Sequence, residues 1–105
     1  MDIEVIKHKV RLNEFILSGH AHKERQEEEI EIRHIKEALS NGEIIEDYPD
    51  DPRGPSCLIL GFSENRPIHL VCGWTKSNWL LVITVYIPQL PKWIDAKTRA
   101  KKGGT

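Results

Sequence analysis

Three side chains that could move or stabilise protons lie on two strand-like stretches late in the sequence. His69 lies within the apolar residues 68–74, whereas Thr84 and Tyr86 lie within residues 79–87, which are rich in β-branched and aromatic side chains. The short turn between these stretches favours an antiparallel pair. An imidazole and a phenol on one sheet face, about 5 Å apart across the strands, could share one substrate. The alternative is a polar, solvated sheet face that carries no chemistry.

Alternation along the last strand decides whether these side chains share a face. One row is entirely aliphatic, and we expect it to pack against helices: Leu81, Ile83, Val85 and Ile87. The opposite row ends in two hydroxyl groups: Leu80, Val82, Thr84 and Tyr86. If the apolar row of residues 68–74 also faces the helices, His69 lies on the same side as Thr84 and Tyr86.

A histidine near the start of a predicted helix is a second candidate. Ser18 has the properties of an N-cap, so that His20 and Glu24 lie one turn apart on one helix face. This pair could bind zinc, but the His-Glu-x-x-His pattern is absent and the sequence places no cysteine pair beside it. Glycine-rich phosphate loops and cofactor fingerprints are absent as well. The sequence therefore predicts a site without metal or cofactor.

The composition is that of an ordinary globular protein. The 105 residues are 39% hydrophobic and 30% charged, which suits one domain with its own core. The sequence shows neither an apolar run of about 18 residues, the length of a membrane span, nor a secretory leader, so we expect a cytoplasmic location. Cys57 and Cys72 are expected to be buried thiols.

The net charge of −1 conceals an uneven distribution. Residues 1–91 carry ten basic and fifteen acidic side chains, whereas residues 92–105 carry five basic side chains and Asp95 alone. We predict a single domain over residues 1–95 and a basic, flexible tail over residues 96–105. Such a tail could contact phosphates, but the overall charge does not indicate a nucleic-acid-binding protein.

Periodicity predicts helices first and strands afterwards. Helical spacing covers residues 2–12 and 19–40, the latter as one helix or two, and Asn41-Gly42 favours a stop. Strand-like stretches follow at residues 44–48, 57–62, 68–74 and 79–87, while residues 15–17 read as an apolar linker that could be extended. The predicted fold is α+β, with N-terminal helices packed on one face of a four-stranded antiparallel sheet.

Several motifs together resemble the family called domain of unknown function 4258. The resemblance covers about residues 15–95 and depends on an ordered set of short matches. These are Leu17-Ser18-Gly19-His20-Ala21, residues 41–51 from Asn41-Gly42 to Asp50-Asp51, Arg53-Gly54-Pro55-Ser56-Cys57-Leu58, Ile68-His69, Ile83-Thr84-Val85-Tyr86, Pro88 and Trp93.

The resemblance implies a RelE-like fold, also called the Barnase–EndoU–Colicin–RelE fold, in which the sheet face opposite the helices carries the site. It implies a toxin-like, metal-independent endoribonuclease of a toxin–antitoxin pair, with RNA and an antitoxin protein as partners. The residues carried over by position are His20, Arg53, His69, Thr84 and Tyr86.

The chain departs from this family near the helix histidine. Many members have arginines one and two turns after it, where this chain has Glu24 and Glu28. Arg25 could substitute as a substrate-binding cation, although it lies on a different helix face. Carboxylates near an anionic substrate count against a nuclease.

We assign hypothetical roles on this basis. His69 and His20 would share the roles of general base and general acid, which imidazole suits near neutral pH. Arg53 would hold a phosphate, and Tyr86, oriented by Thr84, would stack on a base or stabilise developing charge. Two other classes stay open: an inactive RelE-like binding module that pairs with an antitoxin or another protein, and an unrelated fold whose sheet face binds a small molecule.

Overall fold

The computed structural model describes residues 1–100, and residues 101–105 of the predicted tail lie outside the described residues. Within that part of the chain, helices precede strands almost throughout, as the periodicity predicts. The elements are α1 Ile3–Arg11, β1 Phe15–Leu17, α2 Gly19–Glu27, α3 Ile32–Ser40, β2 Glu43–Tyr48, β3 Ser56–Ser63, β4 Arg66–Trp74 and β5 Leu80–Tyr86.

Local hydrogen bonds fix where the helices begin and end. The Ser18 hydroxyl accepts from the Ala21 N–H and so caps α2, as predicted. Residues 19–40 form two helices, because Glu29 adopts a left-handed conformation with φ 56° after α2 and the Ile30 N–H closes onto the Arg25 carbonyl. Across residues 1–100, none of the helices is long and apolar enough to cross a membrane.

The sheet has five strands in the order β1-β5-β4-β3-β2. Strands β2 to β5 form the predicted antiparallel meander. The prediction of a four-stranded antiparallel sheet is wrong in one respect, because β1 adds a fifth strand parallel to β5. Strand β1 could not be recognised from the sequence, because its three residues are too few to show a period of two. Its partner β5 also lies more than sixty residues away in the sequence.

A register shift changes the orientation of half of β5. Val71 pairs with Thr84 but Cys72 pairs with Val82, so that Ile83 is an extra residue in β5. Beyond this bulge, Val85 belongs to the core and Thr84 and Tyr86 face away from it, as predicted. Before it, the predicted orientation is wrong: Leu80 and Val82 are in the core, whereas Leu81 and Ile83 line a cleft on the other face.

All three helices contribute to one core on one face of the sheet. Its central residues come from α1, α3 and the facing rows of the strands: Ile6, Val10, Ile35, Ala38, Leu39, Cys57, Ile59, Ile68, Leu70, Cys72 and Val85. Helix α3 lies so close to β3 that a Cβ at Gly61 would overlap the Ala38 backbone. Cys57 and Cys72 lie opposite each other in the β3–β4 register within this core. Both are buried free thiols, as expected. The opposite face of the sheet is therefore free of helices and carries the candidate site.

Candidate functional site

His69 and Tyr86 meet on the sheet face opposite the helices. They are direct partners in the β4–β5 register, which places both side chains on the same face. His69 Nδ1 lies 3.1 Å from the Tyr86 hydroxyl, and the two rings meet edge-on with centroids 5.2 Å apart. The prediction that His69 and Tyr86 share a face holds because both lie on the side of the bulge where side chains alternate as expected.

The second ring nitrogen of His69 fixes its tautomer. Nε2 lies 2.7 Å from the carbonyl oxygen of Ala96, which can only accept a hydrogen bond. Nε2 therefore carries the proton, and in neutral His69 the Tyr86 hydroxyl donates to Nδ1. Both nitrogens are thus engaged within the protein.

Burial keeps both members of this pair neutral near pH 7. His69 is 0% exposed, and desolvation lowers its pKa below the usual value, although the Ala96 carbonyl and the charge of Glu46 act in the opposite direction. Desolvation also raises the pKa of Tyr86. Both shifts favour the uncharged form, so the His69 imidazole and the Tyr86 phenol are neutral near pH 7.

The C-terminal segment, defined as residues 88–100, buries this pair. Trp93 is 2% exposed and meets His69 edge-on with ring centroids 4.4 Å apart. Its indole N–H makes no hydrogen bond of good geometry within residues 1–100, although its proximity lowers the pKa of Tyr86 slightly against the larger effect of burial. The buried Trp93 ring therefore anchors this segment on the sheet.

Ion pairs fasten the end of the same segment to β2. The Arg99 guanidinium contacts both carboxylate oxygens of Glu46, each at 2.7 Å, and lies over the Trp93 ring at 4.5 Å from its centroid. Lys97 Nζ lies 2.7 Å from Glu43 Oε1. The Arg99 hydrogen bonds lower the pKa of Glu46, which keeps it ionised. Contacts with the sheet thus continue past residue 95, where the sequence suggested the end of the domain.

His20 and Glu24 lie at the outer edge of β5, beside the pair. Glu24 Oε1 accepts the Val85 N–H at 3.1 Å and lies 3.3 Å from His20 Nε2. Glu24 therefore occupies a backbone donor of β5 beyond the end of β1. The exposed His20 is connected to the strand that carries Tyr86 through this one carboxylate.

The other predicted residues lie farther from the pair. Thr84 pairs with Val71, two residues along β5 from Tyr86 and on the same face. Arg25 donates to His22 and to the Ile30 carbonyl, which makes it part of the α2–α3 turn.

Arg53 lines a separate cleft of about 270 Å³ together with Gly73 and Ile83, and its 84% exposed side chain contacts Asp51. Gly73 is four residues from His69 along β4, a distance of about 13 Å at the usual rise of a strand.

Sequence reasoning missed Glu46 and Arg99 as neighbours of the candidate pair. Glu46 belongs to one of the matched motifs and Arg99 to the predicted tail, and only the path of the C-terminal segment brings them together. A shallow depression of about 240 Å³ beside Tyr86, lined also by Glu28 and Lys92, leads toward this region. Within residues 1–100, no group of three or more His, Cys, Asp or Glu side chains could hold a metal ion.

Comparison with known proteins gives one informative result. No curated protein and no solved structure shows a significant match to this chain. Residues 17–87, which run from the end of β1 to just beyond β5, match the family described as Domain of unknown function (DUF4258). The match covers more than half of the chain, and the protein therefore belongs to this family.

Proposed function

We propose that the protein is a toxin-like, metal-independent endoribonuclease of RelE-like architecture that acts from the sheet face opposite the helices. The observation that supports this best is the hydrogen-bonded His69–Tyr86 pair on that face. An imidazole and a phenol in contact can transfer and stabilise protons without a metal. Arg99 adds a cation over the Trp93 ring, and His20 adds a second imidazole that contacts β5 through Glu24.

The reaction needs a base, an acid and a cation. The base takes the proton of a ribose 2′-hydroxyl, whose oxygen attacks the adjacent phosphorus. The bond from phosphorus to the 5′-oxygen then breaks, and the acid protonates that oxygen, leaving a 2′,3′-cyclic phosphate. A cation stabilises the extra negative charge of the pentavalent intermediate.

His69 is the proposed base. When the Ala96 carbonyl leaves Nε2, the proton can move to Nδ1 and be donated to the Tyr86 oxygen, so that Nε2 offers its lone pair to the 2′-hydroxyl. In the closed protein burial lowers the pKa of His69 and keeps the imidazole neutral at pH 7, so no proton has to be lost before it can act as a base. His20 is the proposed acid. Thr84, on the same sheet face as Tyr86, is proposed to help orient the Tyr86 side chain when substrate is bound.

The test is RNA cleavage by the purified protein in the presence of EDTA. We expect products with 2′,3′-cyclic phosphate ends, and a loss of at least about a hundredfold in His69→Ala, the usual range for a general base. Tyr86→Phe should lose less. His22→Ala, which removes an exposed histidine from the same helix as His20, is the control. Full activity of His69→Ala would end this assignment.

A second function is favoured by the burial of His69. With both nitrogens bonded inside the protein and with Glu24 and Glu28 on α2, the domain could be an inactive binding module that pairs with an antitoxin or another protein. A stable complex with the product of a neighbouring gene, together with absence of cleavage under all conditions, would favour it. Both proposals include a cytoplasmic location.

A further inference from the structure

The Trp93 ring and the Arg99 guanidinium lie one after the other over the candidate base His69. The Arg99 guanidinium lies 4.5 Å from the Trp93 ring centroid, and Trp93 lies 4.4 Å from His69 on the inner side. The outermost of these groups is a cation that is 53% exposed. A ligand that approaches His69 from the Trp93 side therefore meets the Arg99 guanidinium.

Most attachments of this segment to the sheet are polar or ionic. Ala96 accepts from His69, Lys97 contacts Glu43 and Arg99 contacts Glu46, while Trp93 is the buried aromatic anchor. Partly exposed ion pairs weaken with salt, and only one with good two-point geometry, such as Arg99–Glu46, contributes appreciably to stability. They can therefore exchange one anionic partner for another.

We propose that residues 92–99 form a cover over the His69–Tyr86 pair, and that a single RNA strand opens it when Arg99 exchanges the Glu46 carboxylate for a phosphodiester. The planar guanidinium binds a carboxylate and a phosphate with the same two-point geometry. The inference rests on the proposed ribonuclease function. It also assigns the phosphate-binding role to Arg99, whereas Arg53 lies in the separate cleft.

The cover explains how a sealed histidine can act as a base. Movement of Ala96 away from His69 frees Nε2, which is the nitrogen that the proposed chemistry requires. In the closed form Lys97 and Arg99 are paired with Glu43 and Glu46 on β2, so these two cations become available to a phosphate only when the ion pairs separate. Binding of substrate and exposure of the base thus become one event.

Two variants at the ends of one ion pair test this directly. Glu46→Gln and Arg99→Gln both remove the contact. The control is Glu14→Gln, which makes the same charge change as Glu46→Gln and breaks the pair between Lys9 on α1 and Glu14 in the turn that follows. Release of the cover is measured by amide hydrogen exchange of residues 93–99. Affinity is measured with a short, single-stranded 2′-O-methyl RNA, which cannot be cleaved by attack of a 2′-hydroxyl.

The expected results differ between the two variants. Both should raise exchange in residues 93–99 by about tenfold, the effect of losing one charge-assisted contact. Glu46→Gln should bind the 2′-O-methyl RNA about five- to tenfold more tightly, whereas Arg99→Gln should bind about tenfold more weakly. Glu14→Gln should match the original protein in both measurements.

Two outcomes would overturn the proposal. Exchange in Glu46→Gln equal to that in Glu14→Gln would show that the ion pair does not hold the cover. A change of RNA affinity in the same direction for Glu46→Gln and Arg99→Gln would show that Arg99 does not bind phosphate. If exchange and affinity follow the expected pattern but no variant cleaves RNA, the cover is supported and the ribonuclease proposal alone fails.

Discussion

The two ends of the helix-free sheet face differ in what covers them. At one end, the buried His69 and the half-buried Tyr86 lie beneath the C-terminal segment, and both ring nitrogens of His69 are hydrogen-bonded. At the other end, Leu81 and Ile83 line an open cleft beside the exposed Arg53. A polar pair therefore lies beneath a chain segment at one end, whereas two partly exposed aliphatic side chains line a cleft at the other.

This difference shows which end of the sheet face is stabilised by contacts with the C-terminal segment. The pair is buried by a segment that its own hydrogen bonds help to hold, so pair and segment stabilise each other. The C-terminal segment is not among the residues that line the open cleft, so the cleft does not take part in this mutual stabilisation. We therefore expect substitutions at the closed end to lower stability more than matched substitutions elsewhere on the surface.

The largest contrast should come from two tryptophans. Trp93→Ala removes a buried ring from above His69 and should lower the free energy of unfolding by about 3 kcal/mol or more. Trp79→Ala removes a ring that is 38% exposed and should cost less than about 1 kcal/mol, as surface changes do. Urea denaturation measures both, and equal losses would contradict the contrast.

A smaller effect is expected from the phenol hydroxyl. Tyr86→Phe keeps the ring but leaves the buried Nδ1 of His69 without a donor, which should lower stability by about 1–3 kcal/mol. Crystal structures of the variant would show whether a water replaces the hydroxyl. A stability unchanged within error would mean that the His69–Tyr86 hydrogen bond is not maintained in solution.

The pH dependence of stability offers a further contrast. Because the pKa of His69 is lowered in the folded protein, the unfolded chain takes up the proton first as pH falls. The contribution of His69 is therefore complete above pH of about 6.5 and declines as pH falls below it. Denaturation between pH 8 and pH 5 should show a shallower dependence of the free energy of unfolding on pH for His69→Asn than for the original protein, and equal slopes would contradict this.

The smallest effect should be at the open end. Arg53 is highly exposed and its contact with Asp51 is long, at 3.4 Å, so Arg53→Ala should change stability by less than about 0.5 kcal/mol. Thermal unfolding is sufficient to check this. A loss as large as that of Tyr86→Phe would remove the distinction between the two ends.

Alternation identified the candidate pair because both residues lie where the strand follows a strict period of two. It failed for Leu81 and Ile83, since a bulge has no side-chain signature of its own and reverses every orientation on one side of it. The α+β order of elements was accessible from periodicity. Strand β1 was not, because its pairing depends on a partner far away in the sequence.

The cover could not be predicted for a different reason. The partner of His69 Nε2 is the backbone carbonyl of Ala96, and backbone groups leave no trace in the residue types. The basic side chains after residue 91 suggested a solvated tail, yet two of them, Lys97 and Arg99, pair with carboxylates of β2. Only Trp93 carried a signal that part of this segment is buried.

The protonation of the His69 ring tests the closed arrangement most directly. Long-range proton–nitrogen correlation spectra of the protein at pH 7.5 report which ring nitrogen carries hydrogen. We predict the proton on Nε2, slow exchange of that proton with solvent, and collapse of this signal into rapid exchange in Trp93→Ala. A proton on Nδ1, or rapid exchange in the unaltered protein, would contradict a His69 sealed beneath the C-terminal segment.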